Sequence, residues 1–315
     1  MSIRDRKGLK TQAREALAAA ESPKKIFFLY ISVSVGISLL CALLNFLLDM
    51  GMTAFTGLEG ITARSLLETV QSLLEVASFL ALPFWQFGLI FLTLQILRRR
   101  AVSRSTLLEG FRQLGPAVRL YLLKILIFIG TATGSFYATA LLLAPLFDSI
   151  IPDPETPLAF LYFLQRLPYI SLFLSLLPLV TLAVLIFLFY RLRMTDYVLM
   201  DHPEAGARNA IRTSWRMMKG NCLSLFSLDL SFWWFILLEF FLAALLLPET
   251  TQLLPNNPIA NYFLCCFLYS IGLVTLHTWA GPQVQTTYAA AYQALQEEYN
   301  RPAPIEIPTW EDLQN

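Results

Sequence analysis

Asp201–Leu247 reads DHPEAGARNAIRTSWRMMKGN and then CLSLFSLDLSFWWFILLEFFLAALLL, and its pattern of charged and apolar residues indicates the class of fold. Its second half, Cys222–Leu247, is apolar and long enough to cross the roughly 30 Å hydrocarbon core of a bilayer at 1.5 Å per residue. Its first half has the charge pattern of an amphipathic helix. A hinge at Lys219–Asn221 joins the two halves. The stretch therefore predicts a membrane-surface helix connected directly to a transmembrane helix.

The basic face of the surface helix predicts contact with lipid head groups. Its cations recur every four residues and share one side of the helix; they are Arg208, Arg212, Arg216 and, close by, Lys219. Such a face favours the anionic inner leaflet, where each cation contributes about 1 kcal/mol. The simplest role of this basic face is anchoring to the membrane, and the more specific alternative is recognition of a particular lipid head group. Nucleic-acid binding is disfavoured because the cations lie within a few residues of two apolar spans.

The same alternation extends over the whole chain. Hydrophobic residues make up 56% of it and charged residues 14%, whereas soluble domains carry about a quarter charged residues. Five further apolar runs are long enough to span a bilayer: Ile26–Leu48, Val76–Leu97, Leu120–Leu143, Tyr169–Tyr190 and Ile259–Ala280. The sequence thus predicts an all-α, polytopic membrane protein with six transmembrane helices and cytoplasmic amphipathic interfacial helices.

The basic residues predict the orientation and the domain plan. Of the 23 Lys and Arg residues, all but Arg64 and Arg166 lie in the amino-terminal segment, the carboxyl tail or the loops after the second and fourth spans, if Lys124 near the start of the third span is counted with its loop. Positively charged loops stay in the cytoplasm, so both termini are expected to be cytoplasmic in a bacterial inner membrane. An amphipathic cytoplasmic segment (1–25) precedes one membrane domain (26–299) and a Pro-rich acidic cytoplasmic tail (300–315). Similar units recur at 9–97, 106–190 and 204–299, although short loops alone can produce such alternation.

Three ionisable residues inside the apolar runs form a candidate intramembrane site. They are Asp229 and Glu239 in the fifth run and His277 in the sixth. A charge at the centre of a span costs about 2.5–3.5 kcal/mol, so these side chains should face the bundle interior. They could relay protons or cations, or they could form hydrogen bonds that hold helices together. Asp229 and His277 lie towards the same end of antiparallel helices, so a pH-sensitive pair between them is geometrically feasible.

Small residues and prolines mark other features of the spans. Gly130-x-x-x-Gly134 in the third span predicts close helix packing. Pro83 and Pro178 predict interruptions of the second and fourth spans. The sequence contains no metal-ligand cluster, phosphate-binding glycine-rich loop or nucleophile elbow. We therefore expect no metal, no cofactor and no catalytic site.

Several motifs resemble those of an uncharacterised bacterial integral-membrane family known only as a domain of unknown function. AIRTSWRMMKGN followed by LFSLDLSF resembles its signature at Ala210, Ser214, Met218, Gly220, Leu228, Leu230, Ser231 and Phe232. A lead-in is similar at Tyr197, Asp201 and Pro203, and a closing proline and tyrosine-containing helix at Pro282 and Thr286–Leu295. Gln283 departs from the pattern, in which a tyrosine follows the proline. The resemblance implies class and location but no mechanism.

The leading functional hypothesis is a structural, lipid-interacting or partner-binding module of the inner membrane. Its expected partners are membrane lipids, and a membrane-protein partner or a second copy of the chain is compatible with it. The alternative is a small-solute or lipid transporter that uses Asp229 and Glu239. Discontinuous spans near the midplane would favour transport, because such helices commonly build substrate sites.

Overall fold

A computed structural model describes residues 3–54, 61–112, 114–150, 159–247 and 257–301. Within these ranges the chain is built of α-helices and short 3-10 turns, which confirms the all-α class. The α-helices are α1 (Arg6–Ala19), α2 (Pro23–Ala54), α3 (Ile61–Leu97), α4 (Glu109–Arg112), α5 (Leu114–Ile150), α6 (Ala159–Leu192), α7 (Thr195–Asp201), α8 (Gly206–Met217), α9 (Cys222–Leu230), α10 (Trp233–Ala244), α11 (Pro258–Trp279) and α12 (Gly281–Tyr299). The 3-10 turns are Arg104–Leu108 and Pro203–Ala205.

Four stretches are long and apolar enough to cross a membrane. They are Pro23–Leu48, Leu114–Leu142, Ser175–Asp201 and Ala260–Trp279, and α9 with α10 makes a fifth if the bent pair counts as one span. The predicted second span, Val76–Leu97, lies within the continuous helix α3, in which the described apolar stretch is Trp85–Leu97. The part of the chain that the structure describes therefore supports a membrane protein with four or five candidate spans, and the predicted count of six is not confirmed.

The fifth predicted span is broken, and the breaks predicted at the prolines are not there. α9 and α10 meet at an angle of 65° around Ser231 and Phe232. By contrast, α3 and α6 run without interruption through Pro83 and Pro178, because neighbouring groups can satisfy the backbone carbonyls that a proline frees. The prediction of proline-broken second and fourth spans was therefore wrong.

Cations of α1 hold the break between α9 and α10. The amide nitrogens of Ser231 and Phe232 bond to carbonyls three residues back, in a tight turn that ends α9. The carbonyl of Ser231 accepts a hydrogen bond from Lys10 Nζ at 3.1 Å, and that of Ser227 accepts one from Arg6 at 3.4 Å. Lys10 Nζ also lies 4.1 Å from the centre of the Phe232 ring. Carbonyls that the broken helix leaves unpaired thus find partners in α1.

One end of the bundle is a packed unit that we call the helical base. It consists of α1, the Trp85–Leu97 end of α3, the 3-10 turn Arg104–Leu108, α4, α7, α8 and α12. Residues from most of these elements share one apolar core, which includes Leu9, Leu92, Leu107, Leu199 and Tyr292. The base therefore joins one end of α3 to several segments that the charge pattern assigns to the cytoplasm.

The amphipathic helices do not use their apolar faces as the sequence predicts. Leu9 and Ala13 of α1, and Ala210 and Met217 of α8, are buried against the other helices of the base. An apolar stripe that packs on protein cannot also insert into lipid. The outward side of α8 is therefore its basic side.

Two glycine positions show opposite kinds of packing. A Cβ atom at Gly88 in α3 would lie 2.1 Å from the carbonyl oxygen of Leu107, so only glycine allows the 3-10 turn to approach the helix this closely. A Cβ atom at Gly130 or Gly134 would meet no atom within 4 Å among the described residues. The predicted close packing at Gly130-x-x-x-Gly134 is therefore not formed in the chain as described.

Candidate functional site

Asp229 is the centre of a buried polar cluster at the junction of the base and the spans. It lies in the last turn of α9 and is 8% exposed. Its Oδ2 atom pairs with the guanidinium of Arg193 and accepts a hydrogen bond from the Tyr190 hydroxyl at 2.7 Å. Its Oδ1 atom accepts from the Tyr288 hydroxyl at 2.7 Å. Both carboxylate oxygens are thus engaged by donors from α6, the turn after it and α12.

This arrangement compensates the cost of burying charge. A carboxylate and a guanidinium taken out of water stabilise a fold only when their geometry is good and their remaining valences are satisfied. The guanidinium of Arg193 also stacks over the Tyr288 ring, 4.5 Å from its centre. Tyr288 therefore contacts both members of the ion pair and ties α12 to them.

A second carboxylate, Asp201, forms a similar cluster at the end of α7. Its Oδ1 atom accepts from Arg98 Nη2 at 2.6 Å, and its Oδ2 atom accepts from the Tyr292 hydroxyl and from Gln296 Nε2, each at 3.1 Å. The ring of Tyr292 stacks on that of Tyr197, with centroids 5.5 Å apart. Asp201 therefore links the carboxyl ends of α3 and α7 to α12.

One face of α12 serves both carboxylates. Tyr288, Tyr292 and Gln296 are four residues apart, so they line up along the helix. Burial raises the pKa of the Tyr288 and Tyr292 hydroxyls above the ordinary value, and the charge of Asp201 raises that of Tyr292 further. The two phenols consequently keep their protons and act as donors. One face of α12 therefore donates hydrogen bonds to the carboxylates of Asp229 and Asp201, so this helix is part of the packed base and not a surface helix.

A polar cavity of about 330 Å³ lies beside the Asp229 cluster. Arg193 and Tyr288 form part of its wall. Across it, Lys124 Nζ donates to Asp196 Oδ1 at 2.6 Å. Its polar lining consists of Gln86, Lys124, Arg193, Asp196, Gln285 and the two tyrosines Tyr197 and Tyr288. The charges in and next to the cavity are paired, so it offers amides, hydroxyls and two ion pairs rather than a net charge.

The predicted intramembrane residues do not form one site. His277 Nε2 lies 2.7 Å from Glu239 Oε1, and the ring of His277 meets that of Phe235 edge-on. Asp229 is instead paired with Arg193. The pair between Asp229 and His277 that helix geometry allows is therefore not formed, and each residue has a different partner. The 65° bend explains this, because it places the two acids of the fifth span on differently directed helices.

The predicted lipid-contact residues are all on the outside. Arg208, Arg212, Arg216 and Lys219 are exposed, and none of them forms an ion pair with any acid in the described ranges. Trp215 is also exposed and lies 5.1 Å from the guanidinium of Arg191. The base thus presents a continuous basic face along α8.

The positions that carry the family resemblance have identifiable structural roles. Ser214 Oγ donates to the carbonyl oxygen of Arg191 at 2.9 Å and so fixes α8 to the end of α6. Gly220 has a φ angle of +84°, which suits glycine at the turn between α8 and α9. Ala210 and Met218 are fully buried. Ser231 and Phe232 form the break, and Pro282 begins α12.

Sequence reasoning missed most partners of the two carboxylates. In the sequence, Arg193 and Arg98 are cations that follow the fourth and second apolar runs, and nothing in their spacing indicates a buried partner. The tyrosines of α12 are spaced four residues apart in the sequence, which is a visible sign of one working face. In the described ranges, no group of three His, Cys, Asp or Glu side chains could hold a metal ion.

Comparison with known proteins identifies the family of the chain. A family described as "Protein of unknown function (DUF975)" matches residues 1–299. No curated protein and no solved structure matches the chain.

Proposed function

This chain belongs to the DUF975 family, and we propose that it is an inner-membrane protein that binds anionic phospholipids through the basic face of α8. The observation that carries the proposal is that Arg208, Arg212, Arg216 and Lys219 are exposed while the opposite face of α8 is buried in the base. Because the apolar face is already used, the basic face has no role in packing the described part of the protein. The basic face of α8 is therefore available to bind lipid head groups.

The charge pattern supports a cytoplasmic position for this face. With Lys124 counted with the loop before the third span, all but two of the 23 basic residues belong to segments expected in the cytoplasm. The inner leaflet carries a negative surface potential, so four cations near it contribute about 1 kcal/mol each. A reporter fused after Arg100 or at Asn315 should be active only in the cytoplasm, and export of either fusion would overturn the orientation.

Lipid dependence of stability tests the binding proposal. The full chain is placed in nanodiscs of phosphatidylcholine with or without phosphatidylglycerol, and the thermal midpoint is measured. We expect the anionic lipid to raise the midpoint of the wild type and high salt to reduce that gain, since exposed charges are screened. A variant with R208Q, R212Q, R216Q and K219Q should lose most of the gain.

The matched control keeps the positive charges of α8 and replaces the guanidinium groups by ammonium groups. R208K, R212K and R216K in one chain should retain most of the stabilisation by phosphatidylglycerol. An equal gain in the glutamine variant and the wild type would remove α8 as the lipid-binding face.

A transporter is the second candidate, favoured by the polar cavity next to Asp229 and by the break in the fifth span. Broken helices often border substrate sites in transporters. Glu239, paired with His277 on the far side of the break, would be the second acid in such a path. The proposal requires that the cavity open to both sides of the membrane.

Cysteine labelling distinguishes the two functions. Gln285, which lines the cavity, is replaced by cysteine in a chain whose four native cysteines are changed to serine. Transport predicts that a membrane-impermeant thiol reagent reaches it from either side of oriented vesicles. Labelling from the cytoplasmic side alone would exclude alternating access at this cavity.

A further inference from the structure

A second pocket, separate from the Asp229 cluster and from α8, lies where α1 meets the ends of three membrane helices. It has a volume of about 420 Å³ and lies between α1, the start of α2, the start of α10 and the junction of α11 with α12. Its cations are Arg14 and Lys24, and its aromatic walls include Phe232, Trp234 and Trp279. None of the described residues that line it is acidic.

Among the described residues, no acid forms an ion pair with Arg14 or Lys24. Burial lowers the pKa of the neighbouring Lys10, and the positive charges of Arg14 and Arg6 lower it further. An anion in the pocket would relieve this repulsion. Cationic groups with no acid among them are the usual setting for a phosphate, which accepts several charge-assisted hydrogen bonds.

Arg14 is held in place for such a contact. With the Gln283 amide turned so that its oxygen faces Arg14, that oxygen accepts hydrogen bonds from Arg14 Nε at 3.1 Å and Nη2 at 3.2 Å. A guanidinium has five N–H donors, so donors remain for a ligand after this pairing. Gln283 is the position where the sequence departs from the family resemblance, and its amide fixes the direction of the arginine.

The level of the pocket in the membrane identifies the source of the anion. Lys24 lies in the first turn of α2, and Trp279 is the last residue of α11, so both mark ends of candidate spans. Trp279 is 70% exposed and packs against Trp234 with ring centroids 6.0 Å apart. Exposed tryptophans at span ends are typical of the head-group region. A phosphate at this level belongs to a lipid.

Space for an acyl chain lies further along the same helices. A cavity of about 460 Å³ is lined mainly by apolar side chains of α2 and α11, among them Ile31, Leu39 and Leu273. Lys24 and Ile31 are seven residues apart, so they lie on the same face of α2, separated by roughly 10 Å at 1.5 Å per residue. That separation is well within the length of a fatty acyl chain.

We infer that this pocket binds the head group of a single anionic glycerophospholipid. Arg14 and Lys24 contact its phosphate, and Trp234 and Trp279 pack against the glycerol region. The inference rests on the proposed lipid-binding function and adds a defined site to it. Because the pocket joins α1 to the break at Phe232, a bound lipid would also hold α1 in the position where Lys10 caps the broken helix.

Native mass spectrometry of the full chain in mild detergent tests this inference. Phosphatidylglycerol is titrated, and lipid-bound species are counted for the wild type, for R14Q/K24Q and for the α8 glutamine variant. We expect one tightly bound lipid in the wild type and in the α8 variant. In R14Q/K24Q its dissociation constant should rise about tenfold or more, since two charged contacts are lost.

Controls separate the site from general effects of charge and folding. R14K/K24R keeps both charges and should retain tight binding at least in part, and K7Q/K25Q removes two exposed cations outside the pocket and should bind as the wild type does. Gel filtration and circular dichroism verify that each variant is folded. If R14Q/K24Q holds the lipid as tightly as the wild type, the pocket is not the site, whatever the α8 variant does.

A second arm tests the source of the phosphate. Inorganic phosphate is added at constant ionic strength and should leave the bound lipid in place. Displacement of the lipid by millimolar phosphate would identify the pocket as a site for soluble anions and would overturn the inference while leaving the role of α8 intact.

Discussion

The helical base and the membrane spans are both apolar, yet they are packed in opposite ways. In the base, Leu9 of α1 and Leu107 of the 3-10 turn are buried. In α5, Leu141 is 78% exposed, and the most apolar window of that helix has no buried residue. Water forces the base to bury its leucines against one another, whereas lipid tails are as apolar as leucine and remove that requirement from the spans.

This difference indicates where the stability of the chain resides. Many large apolar side chains of the described spans face outward, and the base collects the ends of the spans around two carboxylate clusters. We therefore treat the base as the unit that fixes the arrangement of the spans. Substitutions in the base should therefore lower the stability of the protein more than equivalent substitutions in the spans.

Asp229→Ala should produce the greatest loss of stability. It leaves the guanidinium of Arg193 mostly buried without its partner, and breaking a buried ion pair in this way costs about 3–5 kcal/mol. Thermal unfolding in mild detergent, followed by loss of the monomer peak in gel filtration, measures the change. Tyr190→Phe and Tyr288→Phe each remove one hydroxyl and should cost about 1 kcal/mol. If Asp229→Ala were as stable as these two, the cluster would not support the base.

Leu9→Ala and Leu141→Ala compare the two regions directly. The first empties a site in the core of the base and should cost about 2–5 kcal/mol. The second removes the same atoms from a lipid-facing position, where the change should stay below about 0.5 kcal/mol. Both are measured in the same lipid nanodiscs by thermal midpoint. Equal losses would mean that the spans contribute to stability as much as the base.

Gly88→Ala probes the closest backbone approach in the base. The added methyl group would lie 2.1 Å from the carbonyl oxygen of Leu107, so α3 and the 3-10 turn must separate, at a cost of about 1–3 kcal/mol. Gly130→Ala is the matched control in an open position of α5, where alanine favours the helix by about 1 kcal/mol. The first variant should melt earlier than the wild type and the second no earlier.

The sequence was most informative where the membrane imposes a simple rule. A bilayer requires helices of a certain length, so apolar runs predicted the all-α class and the approximate positions of four spans. The cost of burying a charge singled out Asp229, and the structure makes it the centre of a cluster. The length of an apolar run carries no information about bends in the helix. The continuous run Cys222–Leu247 therefore did not reveal the 65° bend between α9 and α10.

The sequence could not predict which residues far apart in the chain contact one another, and the reason is physical. The break at Ser231 contains neither proline nor glycine, and the cations that support it are more than two hundred residues away in the sequence. The same is true of Asp201, whose partners come from α3 and α12. Periodicity along a helix shows which residues share a face but not which distant residue meets that face. The spacing of Tyr288 and Tyr292 showed a common face without showing the anions it binds.

Lys10→Gln is the mildest test, and it addresses the contact between the two regions. The change removes a charged donor to the Ser231 carbonyl and the cation over the Phe232 ring. Exposed cation–π contacts contribute about 0.5–1 kcal/mol, so the thermal midpoint should fall only slightly. The angle between α9 and α10 should respond more clearly, because α1 supplies the partners of the carbonyls at the break.

Spin labels on Leu223 and Phe240, two exposed positions on either side of the break, report that angle as a distance distribution. In a background without native cysteines, Lys10→Gln should broaden the distribution towards longer distances as the bend relaxes. Lys7→Gln, which changes an exposed cation of the same helix, should leave it unchanged. If neither variant alters the distribution, the bend is intrinsic to α9 and α10, and the spans determine their own shape independently of the base.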